Sequence, residues 1–160
     1  MYEVRDELRT IRFEGELLAS SSSRNKRKAR WVEFRLYKTN GGNYILSRIG
    51  VSLYYHQQSC PVVIRNNISP VPAMNLSMNL VPCDDCRPDK YRDLELFPET
   101  PRYWAQRFDA GVGAEGVVES LKREDEFGAE YLTDVAKKLL VEASKKDDGI
   151  YSAFYDEWVD

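Results

Sequence analysis

The chain has 160 residues, enough for one domain of ordinary size with a real core. Its 31% charged and 42% hydrophobic residues are typical of a soluble globular protein. There is no run of about 18 apolar residues and no charged-then-apolar N-terminal segment, so we expect neither a membrane span nor a secretory signal. Residues 1–66 carry 12 Lys and Arg against 6 Asp and Glu, whereas residues 67–160 carry 11 against 20. This asymmetry suits either a nucleic-acid face beside a partner-binding face or two ordinary solvated surfaces.

Alternating apolar and polar residues predict antiparallel β-structure in the basic half. Residues 10–17 place their apolar side chains on one face, and residues 31–38 repeat this period of two. The glycines of Thr39-Asn40-Gly41-Gly42-Asn43 favour a tight hairpin turn. Residues 44–49 and 51–56 continue the meander with a bend at Gly50. Four strands are therefore predicted, the last ending at a histidine.

A run of four serines and five cations separates the first two strands. It has nothing to bury, so we predict a mobile hairpin loop. Its cations are candidates for sequence-independent contacts with nucleic-acid phosphates. They are Arg24, Lys26, Arg27, Lys28 and Arg30. Arg35 and Lys38 on the next strand, with Tyr37 between them, extend this candidate surface. The alternative is a loop that only keeps the protein soluble.

Every cysteine and the only histidine fall within one stretch of about thirty residues. His56 and Cys60 form an H-x3-C pair, and Cys83 and Cys86 form a C-x2-C pair. Each short pair can aim two ligands at one ion, and two such pairs supply the four ligands of a tetrahedral zinc site. We therefore predict a structural Cys3His zinc site. The alternatives are a buried histidine with unrelated thiols, or a Cys83–Cys86 redox pair.

The segment Pro82-Cys83-x-x-Cys86, preceded by a histidine, resembles half of the signature of zinc nucleoside deaminases. That resemblance implies a catalytic zinc with a glutamate two residues after the histidine. This chain has Gln58 there, and an amide cannot shuttle the proton that deamination requires. Cys60 is also available to occupy the position where a catalytic site keeps water. We therefore favour a structural site over a hydrolase or an inactive deaminase-like domain.

Between the two ligand pairs, Val62-Val63-Ile64 predicts a short strand. Alternation at residues 74–80 predicts another strand, packed over the zinc site. Beyond them, Thr100-Pro101 predicts the start of a helix over residues 102–109. Apolar stripes then predict helices over 114–127 and 131–144.

The C-terminal residues 150–160 are rich in aromatic side chains flanked by acids. Tyr151, Phe154, Tyr155 and Trp158 either pack on their own domain or anchor a helix in the groove of a partner.

These patterns predict an α+β protein: a zinc-stabilised antiparallel β-meander at residues 1–90 and a helical bundle at 91–160. Three cysteines with metal-like spacing favour a reducing compartment, the cytoplasm. The first hypothesis is a non-enzymatic accessory subunit that contacts DNA or RNA phosphates through the basic loop. The second is an adaptor that docks a protein complex through its acidic helices and aromatic tail. A zinc-dependent hydrolase is the third.

Overall fold

The structure is a computed structural model that describes residues 1–72, 80–84, 86 and 95–156. It is an α+β protein, as predicted. Its strands are β1 (Tyr2–Asp6), β2 (Arg9–Phe13), β3 (Gly15–Ser22), β4 (Arg30–Thr39), β5 (Tyr44–Ser52), β6 (Tyr54–His56), β7 (Val71–Pro72), β8 (Val81–Pro82), β9 (Glu95–Pro98), β10 (Arg102–Phe108), β11 (Arg123–Glu124) and β12 (Glu130–Tyr131). Its helices are α1 (Pro61–Asn66), α2 (Gly113–Leu121), α3 (Asp134–Ser144) and α4 (Asp148–Tyr155). Within these ranges, no helix has the length and apolar character needed to cross a membrane.

The chain divides into two compact units that interleave along the sequence. Unit 1 consists of Met1–Ser23, Val32–Ile49 and Tyr103–Asp160, and unit 2 of Arg24–Trp31 and Gly50–Arg102. This division differs from the two consecutive regions, 1–90 and 91–160, that the sequence predicted. The difference arises because β10, which follows the proposed boundary, joins the sheet formed by β3, β4 and β5.

Unit 1 is built on a four-stranded sheet in the order β10-β5-β4-β3. β3 and β4 are antiparallel, with a register shift between Leu17 and Ala19. α3 packs against β3, and α4 packs against both α2 and α3. Leu36, Leu46, Val117, Leu139 and Leu140 lie fully buried in the resulting core. The predicted apolar stripes of β4 and α3 therefore face each other across a continuous apolar layer.

A second apolar cluster in unit 1 involves the hairpin of β1 and β2, which the sequence analysis did not identify as two strands. Val4 of β1 is buried together with Tyr37 and Ile45, and the rings of Tyr2 and Phe13 pack against Tyr37. Tyr37 is only 5% exposed. The expectation that it contributes to a solvent-facing nucleic-acid surface is therefore wrong, because the β1–β2 hairpin covers this part of the sheet.

Unit 1 also contains a buried polar network at the start of α4. Asp147 is the N-cap of this helix and accepts a hydrogen bond from the backbone N–H of Ile150. Its carboxylate also accepts from Lys38 Nζ at 2.5 Å and from Tyr44 Oη at 2.6 Å. The buried carboxylate of Asp147 thus has three hydrogen-bond donors within the unit, as buried polar groups generally require partners.

Unit 2 has a sheet in the order β7-β9-β6-β8. β6 is parallel to β8 and antiparallel to β9. Among its described residues, the buried members of the core cluster are Cys60, Val63, Cys86 and Phe97. Two of these four residues are cysteines, so candidate metal ligands form half of this described cluster.

Three elements differ from their predicted form. Residues 61–66 form helix α1 rather than a strand, because Pro61 suits a first helical turn and Asn67 ends the helix in a left-handed conformation. Residues 102–108 form strand β10 rather than a helix: pairing with β5 buries Ala105, which outweighs the helix-start signal of Pro101. The predicted helix at 114–127 ends at Leu121, and a hairpin of β11 and β12 follows.

The serine-rich run is only partly a loop. β3 continues through Ser22, where it pairs with Glu33 of β4. The tip is organised by Asn25, whose side chain accepts from the backbone N–H of Arg27 and whose carbonyl accepts from that of Lys28. The tip therefore forms an Asx turn, and the mobility of this loop stays a prediction. The strand predicted over residues 74–80 lies almost wholly outside the described residues.

Candidate metal centre

Parallel pairing between β6 and β8 brings two of the predicted ligands to one edge of the unit 2 sheet. Tyr54 pairs with Val81 and Tyr55 with Pro82. Hydrogen bonding between the two segments continues past β8, because the backbone N–H of Cys83 donates to the carbonyl of Tyr55 at 3.0 Å. Since parallel strands end at the same edge, His56 and Cys83 emerge next to each other.

Two tight turns then bring in the other two ligands. The N–H of Cys60 donates to the carbonyl of Gln57, and the N–H of Cys86 donates to that of Cys83. As a result, one ligand atom from each of the residues His56, Cys60, Cys83 and Cys86 lies within 4.8 Å of the others, and the four residues can hold a metal ion. His56, Cys60 and Cys86 are buried and Cys83 is half-buried, and none of the three thiols forms a disulfide.

The imidazole of His56 is oriented by a carboxylate. Its Nε2 lies 2.8 Å from Oε1 of Glu99. An ionised carboxylate only accepts hydrogen bonds, so Nε2 carries the ring proton and Nδ1 has a free lone pair. Cys60 Sγ lies 3.5 Å and Cys86 Sγ 3.7 Å from that Nδ1. The single lone pair on Nδ1 cannot accept hydrogen bonds from both thiols at once. If a metal ion binds, Nδ1 and both sulfurs can all coordinate that one ion.

Glu99 contacts a predicted metal ligand, and the sequence analysis did not identify it as a site residue. Antiparallel pairing sets His56 opposite Phe97, which makes Glu99 its diagonal neighbour on the same face of the sheet. Burial alone raises the pKa of Glu99, but hydrogen bonds from Arg30, Ser52 and His56 outweigh this effect and lower the pKa to about 2. In the sequence, Glu99 is only an acidic residue before Thr100-Pro101, a pair that predicts the start of a helix. Nothing local indicates that it contacts His56.

The pKa of the Cys86 thiol bears on how a metal ion would bind. Burial, followed by its contacts with Cys60 and Cys83, raises the pKa of the Cys86 thiol to about 12, although a backbone hydrogen bond from Gln57 acts in the opposite direction. A thiol in this environment stays protonated at neutral pH. Binding a metal ion therefore requires that the ion displace a proton, as is general for thiolate sites.

The basic loop divides into cations with partners in the structure and cations that face solvent. The guanidinium of Arg30 pairs with Glu99 and stacks on the ring of Tyr54. The guanidinium of Arg24 lies over the ring of Trp31 at 4.9 Å. Lys26, Arg27 and Lys28 are exposed around the Asn25 turn.

The two further cations proposed on β4 have different environments. Arg35 is exposed, across from Ser20 of β3. Lys38 is instead engaged in the buried network of Asp147, and its ammonium also lies over the ring of Tyr44. The prediction that Lys38 belongs to a phosphate-binding surface is therefore corrected. Alternation along β4 places Lys38 on the face that packs against the helices, where it pairs with Asp147.

The aromatic residues of the C-terminal segment lie on α4. Phe154 packs against the main core of unit 1, whereas the side chains of Tyr151 and Tyr155 are exposed and their rings contact each other in a tilted arrangement with centroids 4.9 Å apart. Trp158 lies outside the described residues.

Gln58, at the position that glutamate occupies in the deaminase signature, is exposed in the turn between His56 and Cys60. Comparison with protein-family models, curated proteins and solved structures finds no match for this chain.

Proposed function

We propose that this protein is a non-enzymatic binding module in which a structural zinc ion, held by His56, Cys60, Cys83 and Cys86, maintains the fold of unit 2. The observation that carries the proposal is that four soft or borderline ligand atoms from two tight turns converge within 4.8 Å. Thiolate and imidazole are the donors that zinc prefers, and four protein ligands fill a tetrahedral site.

The spacing of the ligand atoms supports zinc. With Zn–S near 2.3 Å and Zn–N near 2.0 Å, a tetrahedral ion separates its sulfur and nitrogen ligands by about 3.5 Å. The distances from His56 Nδ1 to the sulfurs of Cys60 and Cys86 are 3.5 and 3.7 Å. The contact of Glu99 with the other ring nitrogen adds the carboxylate that commonly orients a zinc-bound histidine.

A structural role follows from the number of ligands. A catalytic zinc site usually has three protein ligands and leaves the fourth position to water or substrate, whereas here all four are side chains. Gln58 cannot act as a general acid or base. The three thiols are also typical of proteins that fold in a reducing compartment, and we place this one in the cytoplasm.

Metal analysis of protein purified without chelator tests the proposal. We expect about one zinc per chain, and Cys86→Ser should lower this value while Ser59→Ala, an exposed neighbour, should not. Cobalt substituted for zinc should give the intense visible bands of a tetrahedral thiolate site. Protein that contains no metal and binds neither ion would refute the proposal.

The partner that we propose for this module is the phosphate backbone of DNA or RNA, with the chain acting as an accessory subunit of a nucleic-acid complex. Lys26, Arg27 and Lys28 support this because they are exposed together at the hairpin tip. Backbone phosphates attract such cations without any requirement for base contacts. Arg24 and Arg30 flank the tip.

A variant that replaces Lys26, Arg27 and Lys28 with glutamine tests this partner. Each lost phosphate contact should flatten the slope of log affinity against log salt by about 0.7 to 0.9, so the triple variant should lose about two to three. The matched control replaces Lys137, Lys138 and Lys146, which are exposed on and just after α3. If both triple variants bind unrelated oligonucleotides as the wild type does, the hairpin tip is not the phosphate site.

The second candidate function is an adaptor that docks a protein partner. It is favoured by the exposed pair Tyr151 and Tyr155 on α4, whose rings contact each other in a tilted arrangement. Aromatic anchors contribute strongly to protein interfaces, and their contacts are little affected by salt. A pull-down from the native host with nuclease treatment separates the two functions: a partner retained after nuclease, and lost when both tyrosines become serine, supports the adaptor.

A further inference from the structure

We infer that Arg30 is a positioning residue of the metal centre, acting on His56 through Glu99, rather than a member of the phosphate-binding set. This inference rests on the proposed zinc site. It assigns a role in metal binding to a residue that the sequence placed in the basic loop.

The contacts form a continuous chain. Arg30 Nε donates to Glu99 Oε2 at 3.1 Å, and its Nη2 donates to Oε1, the same oxygen that accepts from His56 Nε2. This two-pronged geometry fixes the carboxylate plane in a way that a single contact cannot. The side chain of Glu99 is only 15% exposed, so its orientation has few alternatives once Arg30 is in place.

The ring of Tyr54 holds the guanidinium from another side, with Arg30 Cζ 4.8 Å from the ring centroid. The backbone next to Arg30 is also fixed, because Leu53 N–H donates to the carbonyl of Ala29 at 2.8 Å. Arg30 is thus positioned by Tyr54 of β6 and by Leu53, the residue before this strand. β6 also carries His56.

Charge gives a second reason. Zinc with three thiolates and a neutral imidazole carries one net negative charge, and Glu99 adds another. The guanidinium of Arg30 pairs with Glu99, which contacts the ring of His56, so its positive charge offsets part of this negative charge.

Arg27 supplies a matched control. It belongs to the same hairpin tip, is exposed, and loses the same guanidinium when it is replaced by glutamine. In the described part of the chain, its side chain has no contact with the metal centre. Any general effect of removing a positive charge from this loop will therefore appear equally in Arg27→Gln and Arg30→Gln.

The experiment is competition for zinc with a chromophoric chelator, together with the visible spectra of the cobalt-loaded proteins. Arg30→Gln should weaken zinc binding about tenfold, Glu99→Gln about ten- to a hundredfold, and Arg27→Gln less than twofold. Arg30→Lys, which keeps the charge but not the two-pronged contact, should recover part of the loss. The visible bands of cobalt-loaded Arg30→Gln should shift relative to cobalt-loaded wild type because the ring of His56 is held differently, and those of Arg27→Gln should not. A purely structural role would leave the bands unchanged.

A double variant sharpens the result. If Arg30 acts through Glu99, adding Arg30→Gln to Glu99→Gln should weaken zinc binding less than it does in the wild type. Equal zinc affinities for Arg30→Gln and Arg27→Gln would overturn the inference while leaving the zinc site intact. Wild-type protein that binds no zinc would instead overturn the proposed function, so the two failures are distinguishable.

Discussion

The two compact units differ in the side chains that form their buried clusters. In unit 1, three helices and a four-stranded sheet enclose a core of fully buried leucine, valine and isoleucine side chains. Among the described residues of unit 2, the buried cluster has four members, and two of them are cysteines. Apolar burial contributes roughly 25 cal/mol per Å², so these four side chains by themselves add little apolar stabilisation. With the proposed zinc site, we expect the stability of unit 2 to depend on a metal ion and that of unit 1 to depend on its hydrophobic core.

Replacing a ligand should give the largest effect. Cys86→Ser leaves three ligands in a buried site, and because zinc binding energy is folding energy in such a site, we expect unit 2 to lose several kcal/mol of stability. Urea unfolding with zinc present measures this loss. The exposed Ser59→Ala serves as control. A Cys86→Ser protein as stable as the wild type would mean that unit 2 holds together without the ion.

A core truncation should affect unit 1 independently of the metal. Leu140 is fully buried in the main core, so Leu140→Ala should cost about 2 to 5 kcal/mol through lost burial and the remaining cavity. Unfolding measured with zinc and with chelator should show the same loss. If the loss depended on zinc, the two units would not be separate sources of stability.

Acid should weaken unit 1 through Asp147. Burial alone raises the pKa of this carboxyl, but hydrogen bonds from Lys38, Tyr44 and the Ile150 backbone outweigh it and hold the pKa below its ordinary value. The ionised form therefore adds stability that is fully present above the unfolded pKa, about 3.9, and disappears as pH falls through the folded one. Asn can still cap α4, so Asp147→Asn removes mainly the charge.

We expect Asp147→Asn to cost about 1 to 3 kcal/mol at neutral pH. The stability difference between wild type and variant should shrink as pH falls below about 4. Thermal unfolding of both proteins across this pH range measures the difference. A difference that stays constant with pH would show that the charge of Asp147 contributes nothing.

The smallest expected effect concerns catalysis. Gln58→Glu restores the residue of the deaminase signature, yet four protein ligands leave no position for an activated water. Ammonia release from cytidine and adenosine should stay at the background rate in both wild type and variant. Release of ammonia by the zinc-loaded variant would mean that one of the four ligands is exchangeable.

The sequence predicted that His56, Cys60, Cys83 and Cys86 converge because soft donors in short-spaced pairs are rare and local turns bring each pair together. It also predicted β4 and α3, whose apolar periodicity matches their packing. It did not predict Glu99, since the contact of Glu99 with His56 depends on pairing between β6 and β9, which are distant in sequence. β10 was missed for the same reason, because pairing with β5 overrode the local signal of Pro101.

The same limit explains the cations. Five charges in one short run look equivalent in the sequence, but Arg30 finds a carboxylate 69 residues away and Arg24 an aromatic ring. Lys38 reaches an aspartate 109 residues away. Local charge patterns therefore indicate where cations are concentrated. Only the fold distinguishes the cations that contact other residues of the chain from those that are exposed to solvent.

The most direct test of a zinc-dependent unit 2 is amide hydrogen exchange, measured by mass spectrometry on zinc-loaded protein and on the same protein after treatment with a chelator. The account predicts that peptides from residues 50–72 lose protection on zinc removal, while peptides from α2, α3 and the β3–β4 pairing keep theirs. Unchanged protection of residues 50–72 in protein shown to be free of metal would contradict it.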